Sequence, residues 1–580
     1  MTAFAALLDR IGLLLGDALT RLLRWTRGPA WRGMLAAGLV ALATALPGTM
    51  SLPVTDRDEG RFVQATKQMM ETGDFVDIRF QDEPRWKKPI GIYWLQAATA
   101  LPAGGAAAPI WTYRLPSVLG IVLAAMVTVW AARPLMRGDR AALAGIAMGT
   151  ATLAAAEATI AKTDAAMLLT AVLAMGALAR VVMGQAKRFT WLVFWLAIAG
   201  GILLKGPIIP AIAALALLAF CVGQRVAGRP MPALGALRPL PGLVLTAALV
   251  LPWLSAIWTI SEGRFFAESI GRDLLGKVAE GQEKHWGPPG LYSAIVWGTF
   301  WPWAAFLPGA LAMGWAARGR AGLALPLLFL ASWVVPFWLV LELVPTKLPH
   351  YVLPLYPALA ILIAWHLSTG VAPQPRWMRM LSAVLAGLPG VVLGLAAIAL
   401  PVILEGTPSI PASLLGLLGA LLALAAARAA LTGRLLDQAG ASIAAAIAIF
   451  AAVLQFGLPS LGTAFATPRL AALAEPWRAC SAGPLVSLGY REPSLVFRAG
   501  TDTLLARPEE AAAQLTAEPG TLLLLLDGRA TDRLAEARGP EAPELVPRGS
   551  HTFFNYNRGR METVTLMTLD DPRFEACAPG

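Results

Sequence analysis

The chain has 580 residues, 57% of them apolar and only 14% charged, with a formal net charge of +11 and a mean hydropathy of +0.62. Soluble domains run at about 25% charged residues and split into separate cores beyond about 250 to 300 residues, so this surplus of Ala, Leu, Val and Ile excludes a single soluble core and a disordered chain. Three cysteines (Cys221, Cys480, Cys577) exclude a disulfide scaffold, and the protein reads as polytopic in a membrane.

Residues 1 to 25 place Phe4, Leu7, Leu8, Ile11, Leu15, Leu19 and Leu22 at helical spacing with Arg10 and Arg21 among them. This predicts an interfacial amphipathic helix. A cleavable signal peptide is not expected, because the first spanning run lies too far from the N-terminus and no small-residue cleavage site follows it closely. Uncharged runs long enough to cross about 30 Å of hydrocarbon then recur. They lie near 33 to 52, 115 to 132, 141 to 158, 165 to 183, 189 to 204, 206 to 222, 240 to 260, 291 to 317, 321 to 341, 352 to 369, 380 to 404, 408 to 427 and 438 to 458. That makes thirteen expected spans. Residues 90 to 113 are also uncharged but are interrupted by Pro102, Gly104, Gly105 and Pro109.

The positive charge decides what that segment does. Arg10, Arg21, Arg24, Arg27 and Arg32 assign the N-terminal arm to the cytoplasm. If 90 to 113 does not cross, the clusters Arg133/Arg137/Arg140, Arg180/Lys187/Arg188, Arg225/Arg229/Arg238, Arg318/Arg320, Arg376/Arg379 and Arg428/Arg434 all fall on that same side. If it does cross, every one of them is flipped outward. Residues 90 to 113 are therefore expected as a juxtamembrane or partly embedded helix on the far side, and the net charge as an orientation signal, not a nucleic-acid surface. The outer face then carries two long loops, 53 to 89 and 261 to 290.

The tail changes composition. Strand-like runs at Leu485 to Leu488, Thr521 to Leu526 and Glu562 to Met567 alternate with helical pieces at Pro508 to Leu515 and Ala530 to Ala537, which predicts a small α/β domain. Cys480 and Cys577 flank it, and a bridge between them requires an oxidising compartment. Cys221, in an apolar run, reads as packing. The expected organisation is a transmembrane domain at 1–460, with functional outer loops at 53–113 and 261–290, and a C-terminal α/β domain at 461–580 on the outer side.

The chemistry is expected on the outer face. Asp56, Asp58 and Glu59 follow the first span directly, and Lys162 with Asp164, Lys205 and Lys347 stand alone at the outer ends of later spans. Lysine at an outer edge opposes the orientation bias; snorkelling anchors are the bland alternative, and a functional site is the sharper one. With Lys87 and Lys88 these residues outline a cavity of carboxylates beside cations. A carboxylate can take a proton from an attacking hydroxyl while cations hold a departing phosphate. Nucleotides are confined to the cytoplasm, so a phosphate leaving group on this face belongs to a lipid-linked donor.

These residues sit in motifs that resemble the aminoarabinose transferases, polyprenyl-phosphate-sugar-dependent glycosyltransferases of the C-type fold, and more broadly the protein mannosyltransferases. The matching stretches are DRDEGRF at 56 to 62, ETGDFV at 71 to 76, KKPIGIYW at 87 to 94, YRLPS at 113 to 117, AKTDAAMLL at 161 to 169, LLKGP at 203 to 207, LPW at 251 to 253, EKHWGPPGLY at 283 to 292 and TKLPHYVLPLYPALA at 346 to 360. The resemblance implies a polytopic α-helical fold of about 13 transmembrane helices with a small periplasmic C-terminal α/β domain. It implies Asp58 as general base or acceptor-positioning carboxylate, with Glu59 beside it, and Asp164 as the second acid shaping the site. Lys88 is implied for the donor phosphate, with Lys87, Arg61, Lys205, Arg272 and Lys347 as further phosphate contacts and Lys277 positioned for phosphate or acceptor. Asp56, His285, Tyr93 and His350 are acceptor-side candidates.

One departure bears on cofactors. The family commonly keeps a glutamate before the phosphate-binding lysine, where it contributes to a metal site with a histidine; here that position is Lys87. A charged lysine is no ligand and repels a divalent ion, so no cofactor is firmly implied and a metal like the family's is not expected; a divalent ion held by Asp58, Glu59 and His285 in another geometry is the alternative. The expected activity is transfer of a sugar from undecaprenyl phosphate to lipid A or another envelope glycolipid at the periplasmic face of a bacterial inner membrane, with inversion and without a nucleic-acid partner. The rivals are a protein O-mannosyltransferase and, from another class, a lipid or sugar transporter or flippase, against which the apolar span centres and the absence of an evident repeat speak.

Overall fold

Within hydrocarbon the backbone must satisfy its own hydrogen bonds, and apolar runs do so as helices. A computed structural model of the chain describes residues 2–55, 58–136, 138–276, 286–320, 322–368, 374–555, 558–575 and 577. Among them, eight helices are long and apolar enough to cross a membrane: Ile110–Ala132, Thr163–Val182, Ile208–Val226, Leu234–Ser261, Ala324–Leu343, Arg376–Glu405, Ile410–Leu431 and Leu435–Ser460. Two bent pairs raise the number to ten. Arg140–Gly149 and Thr152–Ala158 meet at 57°, and Leu291–Thr299 and Trp303–Ala317 at 111°.

The other three expected spans are helical but differ from simple rods. Ala30–Ala45 and Thr190–Lys205 have 16 residues each, about 24 Å of rise. The first stops short of residue 52 because Pro47 cannot continue it. In the run at 352 to 369 a 3-10 helix, Pro349–Leu355, leads into Tyr356–His366; the prolines at 349, 354 and 357 break the regular ladder, yet the two pieces together still reach about 30 Å. Residues 90 to 113 form a ten-residue helix, Gly91–Ala100, only about 15 Å long, which ends in tight turns before Ile110–Ala132 begins. Two runs are not charge-free: Glu157 lies buried in the second half of 141 to 158, and Arg180 near the end of 165 to 183.

Burial ranks these helices. Thr163–Val182 is central, with 83% of its apolar window buried, whereas Leu234–Ser261 is peripheral at 17%. The N-terminal helix, Thr2–Trp25, keeps Phe4, Leu7, Leu13 and Leu14 exposed. Its Asp9 is held by Arg428 and Arg434.

The segment after helix Ala30–Ala45 folds as helix Asp58–Thr72 and a ribbon of β1 (Arg79–Phe80) and β2 (Glu83–Pro84). The C-terminal region builds a five-stranded sheet from β3 (Val486–Leu488), β4 (Leu504–Ala506), β5 (Leu523–Leu526), β6 (Leu545–Asn555) and β7 (Arg560–Leu569), in the order β4-β3-β5-β7-β6. β3, β4 and β5 are parallel; β7 runs antiparallel to β5 and β6. Cys480 and Cys577 are disulfide-bonded, their Cα atoms 6.2 Å apart. The region docks on the segment at 58–84: Gln64 Nε2 donates to Thr501 Oγ1 at 2.8 Å, Lys67 Nζ to the Phe497 carbonyl at 3.2 Å and Gln81 Nε2 to the Thr503 carbonyl at 2.6 Å.

Candidate active site

The acidic pair DE begins helix Asp58–Thr72, where carboxylates favour the positive end of the helix dipole. One residue of helix turns a side chain by about 100°, and the two acids part company. Asp58 is exposed, whereas Glu59 is fully buried. Arg114 donates to Glu59 through Nε at 2.8 Å and Nη2 at 2.9 Å; the Thr55 amide donates at 2.7 Å, its hydroxyl at 2.9 Å, and the Ala161 amide at 2.8 Å. Arg114 spends its remaining donors on the carbonyls of Thr49, Leu52 and Pro53. Burial alone would raise the Glu59 pKa, but the Arg114 charge and these hydrogen bonds hold it below the ordinary glutamate value. Glu59, expected beside Asp58 at the chemistry, is instead enclosed in a clamp that ties the 49–55 turn, two helices and the turn at 159–161.

Asp58 lines a narrow polar pocket of about 80 Å³. Six cations, Arg61, Arg85, Lys87, Lys88, Lys162 and Lys205, meet there with three carboxylates, Asp58, Asp164 and Asp273. The surplus is positive, as an anion site requires. Lys205 is ion-paired with Asp164, and Lys88 with Asp273 of helix Ala267–Leu275. Lys162 contacts Glu157 at 2.9 Å, His350 Nδ1 at 3.2 Å and Asp164 at 3.9 Å, and His350 Nε2 lies 3.7 Å from Asp164. Asp164 is thereby surrounded by cations, whose charge it partly balances. Gly91 permits the close approach that brings this together: a Cβ there would lie 2.7 Å from the Leu203 carbonyl oxygen, so no larger residue would let the segment after Lys88 rest against the end of the helix carrying Lys205.

Arg85 brings buried donors to spare to this pocket. Its guanidinium stacks over Phe62 at 4.8 Å, and among the described residues its buried Nε and Nη1 have no acceptor. Buried unpaired donors are costly, and an entering anion would satisfy them.

The polar pocket adjoins an apolar cavity of about 670 Å³ walled by residues such as Ile202, Pro210, Trp253, Phe265, Phe337 and Leu341. Lys87, Lys88, Lys205, Asp273 and Tyr351 line both. An apolar chamber that ends in a cationic pocket matches an amphiphile with an anionic head.

The remaining expected residues lie elsewhere. Lys347 Nζ turns back to donate to the carbonyls of Leu341 (2.6 Å) and Glu342 (2.7 Å), where it caps the helix end, and it does not line either cavity. Arg272 is exposed and pairs with Glu268 at 3.4 Å. Tyr93 is buried against Phe62, ring centroids 5.6 Å apart. Asp56, Lys277 and His285 fall outside the described residues. Sequence reasoning missed Arg85, Glu157, Asp273 and Tyr351. The run of cations at 85 to 88 and a lone glutamate in an alanine-rich span were the available signals for the first two. Among the described residues no three His, Cys, Asp or Glu side chains converge as a metal site.

Comparison with known proteins agrees with the motif resemblance. A family model described as dolichyl-phosphate-mannose-protein mannosyltransferase matches residues 87–258. The undecaprenyl phosphate-alpha-4-amino-4-deoxy-L-arabinose arabinosyl transferase of Enterobacter sp. (strain 638) is 28% identical over 331 residues, 56% of this chain and 57% of that protein. Its counterpart from Edwardsiella ictaluri is 28% identical over 363 residues, 61% of this chain and 62% of that protein. The match thus spans little more than half the length of these relatives. The crystal structure of ArnT from Cupriavidus metallidurans bound to undecaprenyl phosphate superposes with a TM-score of 0.69 at 18% identity, covering 94% of this chain and 98% of that one. The chain shares that fold, a multi-pass helical membrane architecture.

Proposed function

We propose that the chain is an inner-membrane glycosyltransferase that moves a sugar from a polyprenyl phosphate, undecaprenyl phosphate in the first instance, to lipid A or another envelope glycolipid. The observation that carries this reading is the joined pair of cavities: an apolar chamber for a lipid chain, ending among Arg85, Lys87, Lys88 and Lys205 beside Asp58. The acceptor oxygen attacks the anomeric carbon and the bond to the lipid phosphate breaks, with inversion. Lys88, assisted by Lys87, Lys205, Arg61 and Arg85, holds the departing phosphate. Asp58 accepts the proton of an acceptor hydroxyl, or positions an acceptor phosphate that is already ionised. With Lys87 in place of the family's glutamate, the donor set does not fit the family's metal site, and no step is routed through a metal.

Thirteen crossings, an N-terminus in the cytoplasm and a periplasmic site form one consistent topology. Asp58, Lys88, Lys162 and Lys205 line one pocket, so an even number of crossings separates each pair. The two expected spans between Lys88 and Lys162 meet that condition only if 90 to 113 stays on the outer side, in keeping with its short helix. The C-terminal α/β domain, 461–580, docks on the same face, and its disulfide suits a periplasmic setting. A cysteine placed at Ala103 should therefore be labelled by an impermeant thiol reagent from the periplasm; labelling only from the cytoplasm would break this topology.

The mannosyltransferase family match at 87–258 favours a protein acceptor as the second reading. Mass spectrometry of lipid A, envelope glycans and envelope proteins from cells with and without the gene separates the two. Loss of a sugar from a glycolipid supports the proposal, loss from a protein supports the second reading, and no change in any of them contradicts both.

A further inference from the structure

The C-terminal region holds a cavity of about 1660 Å³ that the transfer reaction does not use. It opens where the three parallel strands end: Leu488 closes β3, Ala506 closes β4 and Leu526 closes β5, and all three line it. In the order β4-β3-β5 the chain leaves β3 to one side through helix Pro493–Ala499, then crosses back through Pro508–Ala517 to reach β5 on the other. Connections that diverge in this way leave a crevice at the carboxyl ends of the strands, and open α/β sheets bind their ligands there.

The lining has a definite chemistry. Six arginines, Arg491, Arg507, Arg529, Arg533, Arg558 and Arg560, face the cleft with four carboxylates, Glu509, Asp527, Glu536 and Glu562. Arg558 and Arg560 both donate to Glu562 Oε1 at 2.9 Å. Among the described residues the other four arginines make no ion pair. Helices Pro508–Ala517 and Arg529–Arg538, ten residues each, begin at the rim, so the positive ends of their dipoles add to the arginine potential. Between β5 and the second of these helices Gly528 takes φ +92°, and a Cβ there would meet nothing within 4 Å. The backbone at that point is bare, as close approach by a ligand requires.

We propose that this cleft binds a phosphate ester of a sugar or cyclitol. Guanidinium forks match phosphate oxygens bidentately, while Glu509, Asp527 and Glu536, which would repel a bare phosphate, accept hydrogen bonds from its ring hydroxyls. The volume suits a ligand larger than one phosphate. The inference stands on the cleft alone and does not depend on the transferase reading.

The test uses the full chain in nanodiscs, with wild type and Arg529→Ala/Arg533→Ala compared by calorimetric titration with glucose 1,6-bisphosphate and with glucose. A parallel co-sedimentation uses phosphatidylcholine vesicles with and without phosphatidylinositol 4-phosphate. Both arginines are exposed, and an unchanged unfolding temperature verifies the variant. Binding of the bisphosphate but not glucose, weakened at least about tenfold by the double substitution, supports the proposal with a soluble source. Binding confined to the phosphoinositide vesicles and lost in the variant supports it with a lipid headgroup as the source. Glucose binding as well as its bisphosphate, an absence of binding to either phosphorylated probe, or binding untouched by the substitutions would overturn it.

Discussion

Asp58 and Glu59 follow one another at the start of one helix, yet the surroundings of the two carboxylates differ in every respect that decides a role. Glu59 receives five hydrogen bonds from Arg114, Thr55 and Ala161 in a site closed to solvent; Asp58 stands exposed among six cations at the edge of an apolar chamber. A carboxylate whose lone pairs are all taken by fixed donors holds structure, because reaction there would unmake the fold. A carboxylate with free lone pairs in a cationic pocket can receive a proton or steer an acceptor. The clamp explains how the pocket is held, since Glu59 fastens the helix that carries Asp58 to the turn that carries Lys162.

The sharpest way to break this contrast is by substitution at each acid. Asp58→Asn should lower transfer by about a hundredfold to ten-thousandfold, the range for losing a positioned acid-base group, while thermal unfolding of the purified protein is unchanged; near-normal turnover would remove the role from Asp58. Glu59→Gln should do the reverse in kind. It leaves Arg114 buried and uncompensated, at a cost of about 3 to 5 kcal/mol, visible as a large drop in unfolding temperature and folded yield. Replacing both partners, Glu59→Met with Arg114→Met, should recover much of that stability, because no unpaired charge is left. If Glu59→Gln folds normally and only turnover falls, the clamp account fails.

A smaller effect is expected at the phosphate end. Lys88→Ala should raise the apparent KM for the lipid-linked donor by about tenfold with a lesser change in kcat; an unchanged KM would count against a phosphate contact. The smallest is a pH effect. The folded-state pKa of Glu59 lies below its unfolded value of about 4.3, so the stability it contributes is fully present above that pH and is lost as pH falls through the folded value. Wild type should therefore lose more unfolding temperature between neutral and acidic pH than Glu59→Gln does. Equal losses would mean that the clamp does not hold this carboxylate ionised.

The apolar runs and the lysines near span ends were legible in the sequence because both are local signals: each of the thirteen runs contains helix among the described residues, and Lys88, Lys162 and Lys205 line one pocket. What local pattern does not carry is helical phase and distant pairing. Nothing in the pair Asp58-Glu59 says which faces inward until the helix start is fixed and Arg114, 55 residues from Glu59 in the chain, arrives as partner. Lys347 looked like Lys205, a lone lysine at a span end, but its stem reaches back to the carbonyls of its own preceding helix. β6 escaped notice because Pro547 and Gly549 interrupt its pattern, where the structure has a bulge. Asp273, in a segment expected as loop, reaches the pocket from helix Ala267–Leu275, a pairing that composition does not encode.

The central claim is that the polar pocket and the apolar cavity are one site for a lipid phosphate. A structure of the full chain with undecaprenyl phosphate tests it directly. The account predicts the phosphate within about 4 Å of the Lys88 ammonium and of the unpaired nitrogens of Arg85, with the prenyl chain between Trp253 and Phe337. A phosphate bound away from Lys88 and Arg85, or a chain that leaves this cavity empty, would contradict it.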